Sequence, residues 1–362
     1  MTAYGRNIRI SIYGGSHDDR IGVRVSGLPA GIPVDAASVA GFLARRAPGR
    51  NDYSSQRHEE DIPEILSGVT NGQTDGNEFH AVIRNTDRKP GDYQPSFIPR
   101  PSHADYPAYI KSSGSADLSG GGHFSGRLTA PLCIIGSILK SELEKSGVFI
   151  GSHIFSIAGK YDLPFSPTDL KKQDFDAVLT APFPVIDRNI GIEMLTEISN
   201  ARESLDSVGG IAECGVIGLH AGVGEHFFDG LESRIASIVF SCPSVKGIEF
   251  GSGFGSASKK GSENNDPYIM RNGNVITETN NSGGILGGMS TGMPIVFRVA
   301  VKPTPSIGIL QKTVNLSTNE ETTISVKGRH DPCIVPRILP VIESCAAIAV
   351  YDALLDEGEM EK

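Results

Sequence analysis

The stretch GGGHFSGRLTAPLCIIGSILKSELEKSG, residues 120–147, decides how the rest of the chain is read. Leu128, Leu132, Ile135, Leu139 and Leu143 recur at helical spacing, so residues 124–146 are expected to form one long helix that stops before Gly147. Three consecutive glycines precede it. Free backbone N–H groups beside a helix N-terminus favour an anion, and Ser125 and Arg127 add donors in the first turn. The segment lacks the Gly-Lys-Ser/Thr of a Walker loop and does not match a dinucleotide fingerprint.

Outward from this helix, short apolar or alternating runs bounded by glycine predict strands at 8–13, 21–28, 79–84, 147–158, 211–219, 237–240, 294–301 and 322–326. Helices are expected at 36–46, capped by Asp35 and ended by Pro48-Gly49, and at 190–205 and 338–355. Interleaved strands and helices of this kind point to an α+β sandwich, sheets with helices packed on them. Residues 255–275 are polar and read as a long surface excursion. No tandem repeat and no composition break resembling a linker divides the chain, so one large domain is expected over residues 1–355. Residues 356–362 (DEGEMEK) then form a frayed acidic tail.

The chain carries 43 glycines in 362 residues, well above the roughly 7% of an average protein, and without a collagen-like triplet period. They are read as turns, helix ends and close backbone approaches. The net charge of −9 argues against a general nucleic-acid binder. Residues 1–130 hold 14 basic and 14 acidic residues, so the whole excess lies later in the chain. Within the neutral part, Arg45, Arg46, Arg50 and Arg57 surround a single acid, Asp52, a local place for an anion. Five widely spaced cysteines with no Cys-x-x-Cys pair read as reduced, mostly buried thiols. The opening MTAYGRNIRI lacks a signal peptide's apolar core. No unbroken apolar run of about 18 residues suggests a membrane span. A soluble, cytoplasmic protein is expected.

Several short motifs could carry chemistry. Gly14-Gly15-Ser16-His17-Asp18 follows a strand; it is a sharp turn with a solvated histidine or a site projecting from a strand end. A nucleophilic serine is disfavoured there, because Asp18 stands where a nucleophile elbow has its last glycine. Arg45 and Arg46 can either satisfy terminal helix carbonyls or grip a carboxylate or phosphate through guanidinium forks. His103, two residues before Asp105 and after a proline, reads as a hydrogen-bonded turn or as a proton donor. Gly251-Ser252-Gly253-Phe254-Gly255 has no helical pattern after it and is not taken as a nucleotide loop. No His-Glu-x-x-His and no Cys/His spacing suited to zinc occurs, so no metal site is expected.

The motifs are more specific in order than alone. They are Gly14-Gly15-Ser16-His17, Arg45-Arg46-Ala47-Pro48-Gly49, Leu66-Ser67-Gly68-Val69, Arg100-Pro101-Ser102-His103-Ala104-Asp105-Tyr106 and the triple glycine before Ser125-Gly126-Arg127. Ser282-Gly283-Gly284-Ile285-Leu286-Gly287-Gly288, Lys302-Pro303-Thr304-Pro305-Ser306 and Gly328-Arg329-His330-Asp331-Pro332-Cys333 complete the series. In this sequence they resemble the chorismate synthase family over residues 4–355. The resemblance implies a β-α-β sandwich protomer, a homotetramer, and a lyase that converts 5-enolpyruvylshikimate 3-phosphate to chorismate and phosphate. It also implies reduced FMN (FMNH2) as cofactor. It leaves open NADPH as reductant, acting externally through a separate flavin reductase or intrinsically as in some family members; no dinucleotide fingerprint is visible, so external reduction is expected.

Carried over by matching motifs, His17, His103 and Asp331 are the catalytic candidates. His17 would protonate or balance the anionic reduced flavin, His103 would donate toward the departing phosphate, and Asp331 would assist proton handling at flavin N5. Arg46, Arg50, Arg127 and Arg337 are the substrate-binding candidates. The FMN contacts are His123, Phe124, Ser125, Pro243, Ser244, Gly287, Lys302, Pro303, Thr304, Pro305, Ser306 and Arg329.

The chain departs from the family's usual pattern at Gly15, which stands for an acid or amide, at Asp18 and Ser102, which stand for glycines, and at Asp52 and Ser119, which stand for arginines. These changes make the site less cationic. They leave open a reduced-flavin lyase acting on a related cyclohexene phosphate, or a non-catalytic flavin- or anion-binding descendant.

Overall fold

A helical layer lies between two antiparallel sheets in the computed structural model, whose described residues are 3–49, 59–86, 97–115, 119–326, 331–358 and 360. The first sheet contains β1 (Arg9–Tyr13), β2 (Arg20–Ser26), β3 (Pro63–Ser67) and β4 (Phe79–Arg84) in the order β1-β2-β4-β3. Along β2, Ile21, Val23 and Val25 are fully buried while Arg20 and Arg24 face solvent, the alternation of a sheet covered on one side. The second sheet contains β5 (Phe149–Ile157), β6 (Lys160–Tyr161), β7 (Gly210–Ile217), β8 (Val245–Phe250) and β9 (Ile295–Val301), ordered β8-β9-β7-β5-β6.

The helices are α1 (Ala36–Arg46), α2 (Asp105–Lys111), α3 (Thr129–Lys145), α4 (Lys172–Leu179), α5 (Arg188–Glu203), α6 (Leu231–Phe240) and α7 (Val335–Asp356). Helix α3 packs on β2 and β4, α7 packs on β5 and β7, and the two helices pack on each other. They cross closely: a Cβ on Gly136 would sit 2.2 Å from the Ser344 Cβ. Only a glycine allows that approach.

Helix α7 is buried along nearly its whole length. Over 18 residues its mean hydropathy is 1.8, and by length and composition alone it could cross a membrane. Reading only unbroken apolar runs missed this property, because Glu343 and Asp352 interrupt the run. The window is wholly buried within the fold, as the core helix of a folded protein is.

Glu343 carries the polar business of this layer. Arg45 on α1 donates to it through both terminal nitrogens, at 2.8 and 2.6 Å. Lys140 on α3 donates at 3.1 Å and Ser152 on β5 at 2.7 Å. Burial alone would raise the Glu343 pKa, but Arg45 and Lys140 hold it down at about 2. A carboxyl with a depressed folded pKa stabilises above its unfolded pKa and loses that contribution as pH falls. Denaturant titrations should therefore show Glu343 losing on the order of 3 kcal/mol between pH 4.5 and 2. In Glu343→Gln this part of the acid dependence should flatten; parallel curves for the two proteins would contradict it.

Several expectations need correction. Residues 237–240 are the end of α6, not a strand: Leu231, Ile235, Ile238 and Val239 are all buried at helical spacing, a pattern the last four residues alone do not show. The expected helix at 124–146 begins at Thr129, because three glycines and a short 3-10 turn at Gly126–Leu128, capped by Ser125, precede it. Strands β3 and β8 and helices α2 and α4 were not anticipated. Strand β3 is largely exposed, and β8 has a register shift at Gly247, so neither shows clean alternation. Asp356 is no frayed tail: it ends α7 and accepts hydrogen bonds from Asn7 and Arg234, and Met360 is buried. All five cysteines are buried and free. Residues 255–275 do lie at the surface, and residues 268–271 pair with 274–277 as a hairpin.

Candidate active site

Gly120, Gly121 and Gly122 all have positive φ (58°, 98° and 48°), backbone that side chains disfavour. The Ser16 N–H donates to the Gly122 carbonyl at 3.2 Å, which fastens this turn to the loop after β1. A Cβ on Gly120 would lie 2.1 Å from His17 Cε1, and one on Gly121 would lie 3.3 Å from His103 Nε2. Two histidines 86 positions apart in sequence thus meet consecutive residues of one turn. The buried Ser16 hydroxyl is 2.9 Å from His17 Nδ1.

His103 stands in a knot of polar groups. Its Nδ1 is 2.5 Å from Asp105 Oδ1. Arg100 grips the same carboxylate through Nε (2.7 Å) and NH2 (2.8 Å), and its backbone N–H donates to it at 3.0 Å. Arg100 NH1 also donates to the Ser306 hydroxyl at 3.2 Å. Burial would raise the Asp105 pKa, but hydrogen bonds from Arg100 and His103 hold it well below the usual carboxylate range. Ser102 has φ 61°, the conformation for which a glycine is suited, and both its carbonyl and its hydroxyl accept from Lys302 Nζ. Burial and the neighbouring Lys246 lower the Lys302 pKa.

The arginines are placed differently from expectation. Arg45 turns inward to Glu343. Arg46 donates to Thr129 Oγ1 (3.1 Å), Asp61 Oδ2 (2.8 Å) and the Gly126 carbonyl (2.8 Å). Arg127 donates to Asp61 Oδ1 and, through Nε at 2.9 Å, to Asn85 Oδ1. Asn85 in turn donates to the carbonyls of Gly15 (3.2 Å) and Asp18 (2.7 Å). Arg46 and Arg127 are therefore buried cross-braces joining α1, the start of α3 and the His17 loop, rather than an open anion cluster. Desolvation opposes the Asp61 charge, yet the two guanidinium groups hold its pKa down. Arg337 donates to the Arg46 carbonyl at 2.9 Å and to Asp331. Arg50, Asp52, Arg57, Arg329 and His330 lie outside the described residues.

The remaining candidates fall in three places. His123 and Phe124 are exposed beside the glycine turn, and Ser125 caps the next turn by accepting from the Arg127 N–H. Ser244 accepts from the Lys302 N–H at 2.9 Å, which sets Pro243-Ser244 beside the segment from Lys302 to Ser306, and the Thr304 carbonyl accepts from Ser207. Pro303 packs against Gly209, and Pro305 continues the segment to Ser306. Gly287 is elsewhere. Its hairpin is tied to the start of α6 and the start of β9, while Ser244 and Lys302 follow the ends of those elements. The length of β9, about 20 Å, separates them within one chain.

Asp18 shows how two departures fit one another: a Cβ on Gly15 would lie 3.3 Å from Asp18 Oδ1, so the carboxylate covers the space a side chain at 15 would enter. Sequence reading missed Asp61, Glu59, Asn85 and Arg100. The end of α1 and the turn before α3 each bring a buried arginine, and buried cations need a counter-charge, but the sequence does not say which acid supplies it. Among the described residues, no group of three His, Cys, Asp or Glu is placed to hold a metal ion.

Comparison with known proteins gives a consistent result. A family model described as chorismate synthase matches residues 8–355. A chorismate synthase from Thermococcus kodakarensis is 43% identical, covering 97% of this chain and 97% of its own length. One from Korarchaeum cryptofilum is 42% identical with the same coverage, and one from Lancefieldella parvula is 42% identical over 98% of this chain and 96% of its own. A crystal structure of chorismate synthase superposes with a TM-score of 0.76 at 27% identity, over 98% of this chain and 93% of that one.

Proposed function

The chain belongs to the chorismate synthase family, and from that premise we propose that it converts 5-enolpyruvylshikimate 3-phosphate to chorismate and phosphate by trans-1,4-elimination. The observation that carries this reading is the glycine turn with His17 on one residue and His103 on the next. Two imidazoles, the side chains suited to proton exchange, pack against consecutive residues of a turn that has no side chains of its own to hold them off.

The family's need for reduced FMN fits these residues. Beside the glycine turn the exposed Phe124 offers an aromatic face and the exposed His123 a polar one, and Lys302 offers a partly desolvated cation. His123, Phe124, Ser125, Pro243, Ser244 and the segment from Lys302 to Ser306 would hold the cofactor; Arg329 completes the proposed set, and Gly287 would have to come from a second copy. When bound, reduced flavin supplies the electron-rich ring that assists phosphate departure and accepts the ring hydrogen, which no side chain is basic enough to remove.

The protein's own groups then orient and protonate. His103 directs Nε2 at the turn and gives a proton to the leaving phosphate oxygen. His17, steadied by Ser16, carries positive charge beside the anionic ligands. Asp331, paired with Arg337, handles a proton at the cofactor's edge. Arg46 and Arg127 act by fixing the turn in place. A homotetramer, a cytoplasmic location and NADPH delivered through a separate flavin reductase belong to the same proposal, on the strength of family membership.

The test is an anaerobic assay with dithionite-reduced FMN and 5-enolpyruvylshikimate 3-phosphate, following chorismate absorbance. Folded, flavin-loaded protein that forms no chorismate overturns the proposal. Gly120→Ala adds a probe of the turn. Its Cβ collides with the His17 ring and sits at φ 58°, so kcat/KM should fall by about 100-fold or more while the far-ultraviolet circular dichroism stays native. Wild-type kinetics in this variant would remove the turn from the mechanism.

A further inference from the structure

His103 Nδ1 lies 2.5 Å from Asp105 Oδ1 and 3.1 Å from Arg100 NH2. A nitrogen lone pair facing a carboxylate oxygen at that separation is repulsive, so the proton is on Nδ1 and is donated to Asp105. The ring's other nitrogen, Nε2, is the atom facing Gly121. It accepts when the ring is neutral and donates when the ring is charged.

The carboxylate is itself fixed. Arg100 holds both its oxygens, α2 carries it at its first residue, and Arg100 is anchored in turn to Ser306. Among the described residues, the charged and titratable groups around the ring are Arg100 and Asp105 on its own segment, Lys302 on the Ser102 backbone, and His17 across Gly120. Asp105 is the anion that touches it.

We propose that Asp105 is the positioning residue of His103: it takes the Nδ1 proton and so fixes Nε2 as the nitrogen that faces the glycine turn and serves the reaction. Arg100 has the complementary part. By donating to both carboxylate oxygens it holds Asp105 ionised, and by reaching Ser306 it ties this proton donor to the segment following β9. In the step itself the Nε2–H bond breaks as an O–H bond forms on the departing phosphate, and the ring returns to the neutral form with its proton on Nδ1. This inference rests on the reading of His103 as the proton donor.

The experiment separates the two. Asp105→Asn keeps the size of the side chain but replaces an acceptor-only carboxylate with an amide that can also donate, so the Nδ1 proton is no longer imposed. The kcat should then fall about tenfold with KM little changed. Asp105→Glu, which restores the carboxylate, should recover part of kcat. Nitrogen-15 spectra of the histidines in the wild-type protein without substrate should show the neutral His103 ring protonated at Nδ1. A wild-type kcat for Asp105→Asn, while His103→Ala is crippled, overturns the positioning alone. A His103→Ala variant with wild-type turnover overturns the reading of the donor instead. If Asp105→Asn does not fold, the spectra decide: a neutral ring protonated at Nε2 overturns the proposal.

Discussion

Replacing Asp61 with alanine is expected to destabilise the protein by about 3–5 kcal/mol. The carboxylate is buried, and two guanidinium groups, from Arg46 and Arg127, converge on its two oxygens. Removing it leaves two buried cations facing each other with Glu59, 3.7 Å from Arg127, as the nearest remaining anion. The cost is the desolvation of charges without their counter-charge, which exceeds the value of any single hydrogen bond. Urea unfolding followed by tryptophan-independent probes, such as far-ultraviolet circular dichroism, reads it directly, since the chain has no tryptophan. Asp61→Asn, which keeps the shape and one acceptor, should lose most of the same stability because the charge matters most. A loss below about 1 kcal/mol in both variants would show that Arg46 and Arg127 are neutralised some other way.

The second large effect falls on catalysis. His103→Ala should reduce kcat by roughly 10²–10⁴-fold, the usual contribution of a positioned proton donor. Its fold should survive, because the Arg100–Asp105 ion pair and the bond to Ser306 remain when the imidazole is removed. Rapid-quench measurement of phosphate release isolates the step at which the proton is needed. A variant within threefold of wild type would show that the departing phosphate leaves without help from this side chain.

Much of the scaffold was readable because its signals are local. Helix α1 has a cap at Asp35 and a stop at Pro48-Gly49, and its bounds agree with the sequence reading at both ends. Strand β4 was equally plain. Helix α6 was misread because only its last four residues, rich in β-branched side chains, were weighed. The site shows the same division. The motifs pointed to His17, His103 and the glycine turn, but not to the fact that the turn brings the two rings together. For His103, the bland alternative of a hydrogen-bonded turn and the functional one describe the same contact with Asp105. Asp61 was unreadable for a different reason: its partners are 15 and 66 positions away, and a counter-charge so distant leaves no spacing to detect.

Helix α7 occupies the middle of the molecule, between sheets whose strands all precede it in the chain. During synthesis, every one of those strands leaves the ribosome before the segment that fills the space between them exists. Even β1, made first, takes its anchor from the far end: the Ile8 and Asn7 N–H groups donate to Asp352. The second sheet therefore waits with the face that α7 covers open, and the core closes late, in a step that joins residues 345 positions apart. Folding of this core consequently depends on protection of that face until α7 arrives.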